Sequence, residues 1–312
     1  MNEGSHASPL VLNGIDSGNP LGFLAALGTA ILANSFCQEL RSCWCIDKGA
    51  WRPALSGCGT DKSRFLERLL DAMKAASMKP FEINDKMPFS VALFENRLKE
   101  AQRTASPTNR RVADFLAAFG SEISPNDGAF QDSHFCMLRS GDSAGQGLPA
   151  YARTIRDATD GIALERALFR PWDYSDEPKK RSLRWDPIED KRYALRWRDP
   201  SKSNLKEGPG TMIGANSLAL EALQWYPTMF QGNQLSTTGF HRNSNKEVWF
   251  TWPIWDHPIS LDAVRSLLTL RGLHNNQPPR AELARRGIVE IYRCQRIQQS
   301  KYYSNFTSAQ PI

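Results

Sequence analysis

The chain has 312 residues, 41% of them hydrophobic and 10% aromatic, which is ample for a packed core and argues against wholesale disorder. Its net charge is +6, a modest excess that points to an anionic partner only where the cations cluster. The first ten residues lack a basic start followed by an apolar run, and the longest apolar stretch, Leu21 to Ala33, is too short to span a bilayer, so the expectation is a cytoplasmic protein with no membrane contact.

Taken in chain order, Val11 to Ile15 alternates weakly, as a short strand does. Asp16 to Pro20 reads as a turn, with Asn19 as N-cap and Pro20 at the first position of a buried helix, Leu21 to Phe36. The glycines and alanines of that helix would let another backbone approach closely. Helical spacing recurs over Phe65 to Met78, Val91 to Ala101 and Val112 to Phe119, so Leu21 to Gly120 reads as mostly helical. Ser121 to Pro149 is rich in Gly, Ser and Asp and reads as a long connection. Helix returns over Tyr151 to Phe169 and again over Gly214 to Trp225. Between them, Leu183 to Trp197 reads as a strand, with Tyr193, Leu195 and Trp197 at period two and Arg192, Arg196 and Arg198 between or beside them. Glu247 to Trp255 is an aromatic strand, Leu261 to Arg271 a short helix and Ile288 to Ile297 a C-terminal strand. The predicted class is α+β, mainly helical in the N-terminal half and mixed in the C-terminal half. The regions are 1–120, 121–150 and 151–312, which can equally form one continuous domain.

The cations do cluster. Between Lys179 and Lys206 ten of them face four carboxylates, an excess equal to that of the whole chain. Arg and Lys at strand spacing can follow phosphates, and aromatics among them, Trp185 included, either stack on unpaired bases or form core behind the basic face. A second run, Arg271 to Lys301, holds seven cations and two carboxylates and could extend the same surface. Thr237-Thr238-Gly239-Phe240 reads as a turn, with hydroxyls that a phosphate could use. Gly141 to Gly147 is either a flexible connection or leads into a helix starting near Ser143, whose free N–H groups could meet a phosphate.

Catalytic signals are thin. Glu189-Asp190-Lys191 fits half of a metal-dependent nuclease motif, with Asp173 or Asp176 as the upstream carboxylate. Cys43, Cys45 and Cys58 have poor spacing for zinc, and the six cysteines read as reduced thiols. No nucleophile elbow, P-loop or dinucleotide fingerprint occurs. The expectation is therefore no catalytic residue, no metal and no cofactor.

Asn19-Pro-Leu-Gly-Phe-Leu-Ala-Ala-Leu-Gly28 resembles the N-terminal signature of accessory and large-subunit-like proteins of type I-G (formerly I-U) CRISPR–Cas systems. Leu183 to Pro187, Tyr193 to Leu195, Asp199 to Ser201, Gly214 to Asn216 and Phe250 to Pro253 look like later blocks of the same proteins, in the same order. Gly147 departs from the second glutamine expected after Gln146, and the chain is short for a full large subunit. The resemblance implies a non-catalytic nucleic-acid-binding component of a crRNA-guided antiviral complex, with crRNA or target DNA and other effector subunits as partners. The residues expected to carry binding are Arg181, Arg184, Trp185, Lys191, Arg192, Arg196, Arg198 and Lys202. The competing readings are a nuclease using Glu189 and Lys191, and an assembly subunit that touches protein alone.

Overall fold

A computed structural model describes residues 8–123, 128–138, 147–177, 179–190, 210–300 and 303–312. The chain opens with β1 (Leu10–Val11) and α1 (Pro20–Ala33). Asn19 caps α1 as expected: its Oδ1 accepts from Leu21 N at 2.9 Å and from Gly22 N at 3.2 Å. Pro20 fills the first helical position, where a missing N–H costs nothing. A hairpin follows, β2 (Arg41–Asp47) and β3 (Ala50–Ser56). Lys48 and Gly49 join its strands, both at positive φ, and a two-residue loop of this kind matches the strand twist. Next come α2 (Lys62–Ala75), α3 (Val91–Thr104), α4 (Arg111–Phe119) and a short antiparallel pair, β4 (Gly120–Ser121) with β5 (Gln131–Asp132). Helices α5 (Leu148–Asp157), α6 (Gly161–Phe169) and α7 (Ile213–Ala222) precede a hairpin of β6 (Thr228–Gln231) and β7 (Gln234–Thr237). The remainder is β8 (Phe240–Arg242), β9 (Val248–Trp255), β10 (Ile259–Ser260), α8 (Leu261–Leu267), α9 (Arg280–Ala284), β11 (Ile288–Ser300), β12 (Tyr303–Phe306) and β13 (Gln310–Pro311).

The class is α+β. One antiparallel sheet has the order β1-β3-β2-β10, and a second has the order β12-β11-β9-β8, with β13 on β11. Helices α1 and α7 are almost wholly buried on every side, so they form the centre against which the rest packs. Phe23 of α1 ties both sheets to that centre. It stacks on Trp44 of β2 (ring centroids 5.9 Å apart) and on Trp252 of β9 (5.7 Å), and Trp44 meets Trp255 edge-on at 6.2 Å. Two of the three indole N–H groups meet backbone, Trp252 donating to Ser17 O at 2.9 Å and Trp255 to Ser42 O at 2.7 Å, while the Trp44 Nε1 is buried with no hydrogen-bond partner. Residues from both sides of 121–150 share this core, and β10 extends a sheet begun by β2.

The fold departs from the sequence reading in four places. The stretch from Leu21 to Gly120, read as mostly helical, also contains the β2–β3 hairpin. Tyr151 to Phe169 is two helices: α5 stops at Asp157, and Asp160 caps α6, its carboxylate accepting from Ala163 N at 2.8 Å. The helix expected near Ser143 starts at Leu148, with Gly147 as its cap position, and residues 139–146 lie outside the described residues. Of the strand expected over Leu183 to Trp197, the described part, up to Asp190, is a turn. Arg184 has φ 61° and Pro187–Glu189 is one 3₁₀ turn, closed by Asp186 Oδ1 accepting from Ile188 N at 3.0 Å. Among the described residues no helix is long and apolar enough to cross a membrane.

Candidate nucleic-acid interface

Five of the eight residues expected to bind nucleic acid, Lys191, Arg192, Arg196, Arg198 and Lys202, lie outside the described residues, as do Tyr193 and Trp197. Arg181 is part-exposed in the turn before Leu183. Arg184 lays its guanidinium over the Tyr303 ring, 4.2 Å from the centroid. Trp185 is a correction to the stacking alternative, since it is completely buried. Its Nε1 donates to Phe135 O at 2.9 Å and its ring meets Phe135 edge-on at 5.4 Å. Both faces are covered by protein, which leaves nothing for a base to stack on.

The carboxylates of the nuclease reading are spent on internal contacts. Arg166 gathers both upstream candidates: Nη1 reaches Asp176 at 2.8 Å and Nε reaches Asp173 at 3.2 Å. Asp186 is buried, and its Oδ2 accepts from Asn19 Nδ2 and from the Tyr174 hydroxyl, each at 3.2 Å. Burial pushes its pKa up, and the Ile188 N–H with these two donors pulls it back only in part. Glu189 accepts a hydrogen bond from the Ser182 hydroxyl, and burial is the main cause that pushes its carboxyl up to about 7. Asp186 ties the turn before α1 to Tyr174. Among the described residues no group of three His, Cys, Asp or Glu is placed to hold a metal ion. Cys58 hydrogen-bonds Cys37, while Cys43 and Cys45 lie in β2 opposite Ala54 and Arg52.

A basic concavity forms instead on the second sheet. Registers place Arg242 of β8 and Arg296 of β11 opposite the same residue of the strand between them, Val248 of β9. Side chains on one row of a sheet share a face. One row inward that face is core, Phe240, Phe250 and Cys294. The aromatic core thus gives way to two guanidinium groups within one row. Arg296 holds its wall in place, donating from Nε to His134 O at 2.8 Å. His134 stacks on Phe240 at 5.2 Å, and its Nδ1 lies 2.9 Å from Thr237 Oγ1. Burial, then Arg296 and Arg242, hold its pKa down to about 3.

Two cavities adjoin here and share His134 and Arg242. The first, about 620 Å³, is also lined by Lys246 and Arg296 and by two carboxylates, Asp132 and Glu247. The second, about 600 Å³, reaches Arg271, His241 and His274. Arg242, Lys246 and Arg271 are exposed, and none forms an ion pair among the described residues. Surface cations without carboxylate partners along a concave wall give a positive, focused potential. Of these residues, Arg271 and Arg296 belong to the second basic run read in the sequence. Arg242 and Lys246 were not singled out, because they stand far from that run in sequence and only β8 and β9 bring them to it.

No protein-family model matches the chain, and no curated protein matches it.

Proposed function

We propose that this protein binds nucleic acid without cleaving it, holding phosphates along the concave wall from Arg296 through Arg242 to Arg271, as a component of a crRNA-guided effector complex of the type I-G kind. The observation that carries the reading is the set of three exposed cations, Arg242, Lys246 and Arg271, that no carboxylate neutralises among the described residues, placed around two adjoining cavities. Phosphates along a strand supply the missing negative charge. The cation-rich sequence from Lys179 to Lys206 supports the binding reading, and the sequence blocks from Asn19 to Pro253 support the assignment to a crRNA-guided complex.

The test is binding of labelled single-stranded RNA, single-stranded DNA and duplex DNA across a salt series. Two triple alanine variants accompany the wild type, one at Arg242, Lys246 and Arg271, the other at Arg192, Arg196 and Arg198. The expected result is a weaker, less salt-dependent interaction for the first variant, the slope of log K on log salt falling by about 0.7–0.9 per lost phosphate contact. Equal affinity of all three proteins overturns the reading. Failure to bind any nucleic acid, with co-purification in a larger particle, favours the protein-only assembly subunit.

A further inference from the structure

The second cavity differs from the first in having no carboxylate on its wall. It lies along β8, the free edge of its sheet. The β6–β7 hairpin walls one side and Leu268 to His274 the other. The turn that floors it, Thr237-Thr238-Gly239, is pinned. Thr238 N donates to Pro227 O at 3.0 Å, and Gly239 has φ 79° with the Phe250 ring only 2.9 Å from where a Cβ would stand.

Every ionisable residue on this wall is basic: Arg242, Arg271, His134, His241 and His274. The His241 and His274 rings lie 5.4 Å apart, and the Nδ1 atom of each is buried with no hydrogen-bond partner. Arg293 stands beside them, met by neutral acceptors: Nη2 donates to the backbone Leu273 O at 2.8 Å and Asn275 O at 2.9 Å, and Nε to the hydroxyl Thr251 Oγ1 at 2.9 Å. A carboxylate would ordinarily neutralise such a group of cations, and no side chain lining the cavity supplies one.

We propose that this cavity is a binding site for a compact oxyanion, a phosphate or the phosphate group of a monoester, held by Arg242 and Arg271 with His241 and His274 as further donors. Guanidinium groups match the paired oxygens of a tetrahedral oxyanion, and a histidine that gains a proton becomes a donor at both nitrogens. The space exceeds what a bare phosphate fills, so a monoester such as a strand's terminal phosphate fits the same chemistry. Burial first, then Arg293, holds both histidines down to about 4, and His274 adds to the effect on His241. A bound dianion reverses that balance. Arg293 beside the pair, and Arg242, Arg271 and His134 around the same cavity, are all basic, so binding takes up protons.

Isothermal titration of the full chain with inorganic phosphate, sulfate and a nucleoside monophosphate tests this. Saturable binding is expected, weakened about tenfold or more by Arg271→Ala or Arg242→Gln, both exposed side chains whose loss leaves the core untouched. Sulfate keeps its charge from about pH 8 to about pH 5.5, so its affinity should rise as pH falls and the histidines charge. A monoester that binds about tenfold tighter than phosphate points to a strand end, and equal affinities point to a free ion. No saturable binding of any of the three, or binding unchanged in both variants, overturns the proposal. The site shares Arg242 and Arg271 with the strand-binding reading but does not need that reading: phosphate binding without oligonucleotide binding upholds this inference and sinks the other.

Discussion

A Cβ at Gly28 would lie 1.8 Å from the carbonyl oxygen of Leu218, which makes α1 and α7 neighbours at backbone contact. No side chain can yield there, because the obstacle is backbone at the centre of the core. Gly28→Ala is therefore expected to push the two helices apart and to cost about 3 kcal/mol, the upper part of the range for overpacked cores. Urea unfolding would show it as a lowered midpoint with an unchanged slope. Gly161→Ala is the control. That glycine also lies in a helix, but a Cβ there meets only the tip of Leu70 at 3.9 Å, so stability should hold or rise slightly.

Glu221 sits at the end of α7 with no exposure and two arginines on its carboxylate. Arg111 Nη2 reaches Oε1 at 3.0 Å, and Arg156 binds Oε1 while donating from Nη1 to Met73 O at 2.8 Å. Burial alone would raise the Glu221 pKa, and the two guanidinium groups outweigh it, so the carboxyl is held below its usual range. Glu221→Ala leaves Arg156 buried without its anion and should cost about 3–5 kcal/mol. Chemical denaturation measures it. A loss below about 1 kcal/mol would mean that water or another acid replaces the carboxylate.

Glu189 makes stability depend on pH in the direction opposite to most acids. Its folded pKa is raised to about 7, mainly by burial, so the folded state binds the proton more tightly than the unfolded chain. The stabilising contribution is complete below the ordinary glutamate range near pH 4.5 and is lost as pH rises through about 7. Unfolding free energies of the wild type and Glu189→Gln, measured across that window, should diverge as pH rises, the wild type losing stability relative to the variant. Parallel curves would place the Glu189 carboxyl in water.

His134 works in the other sense. Its folded pKa is depressed to about 3, first by burial and then by Arg296 and Arg242, so its contribution is present above about pH 6.5 and drains away as pH falls toward 3. His134→Asn should flatten the acid limb of the stability curve below about pH 6.5. An unchanged acid limb would mean that this histidine titrates freely.

Legibility in the sequence followed how local the controlling interaction is. Asn19 and Pro20 set the start of α1 within three residues, and that start was readable. The small residues around Gly28 gave away the close approach, though not its partner. The β2–β3 hairpin was missed because its burial runs through Ser42, Cys43 and Trp44 without alternating, which hides the period-two signal. Its one local cue is Lys48-Gly49. Arg184 and Trp185 misled in the opposite way. They lie in a segment that alternates on paper, but Asp186 captures Ile188 N and turns the chain, and Trp185 goes to the core. The basic concavity depends on strand register between residues about fifty apart, Arg242 and Arg296, and no local pattern encodes that pairing.

Trp185 separates core support from base contact. Trp185→Phe keeps the edge contact with Phe135 but removes the donor to its carbonyl and leaves a small void, at a cost of about 2 kcal/mol. Because the indole is fully buried, the variant, once shown to be folded, should bind RNA and DNA as the wild type does. Fluorescence anisotropy at fixed salt provides the comparison. Weaker binding by a folded Trp185→Phe protein would mean that the ring leaves the core to meet a base, and the turn at Arg184 to Glu189 would then have to open against the Asp186 contacts with Asn19 and Tyr174.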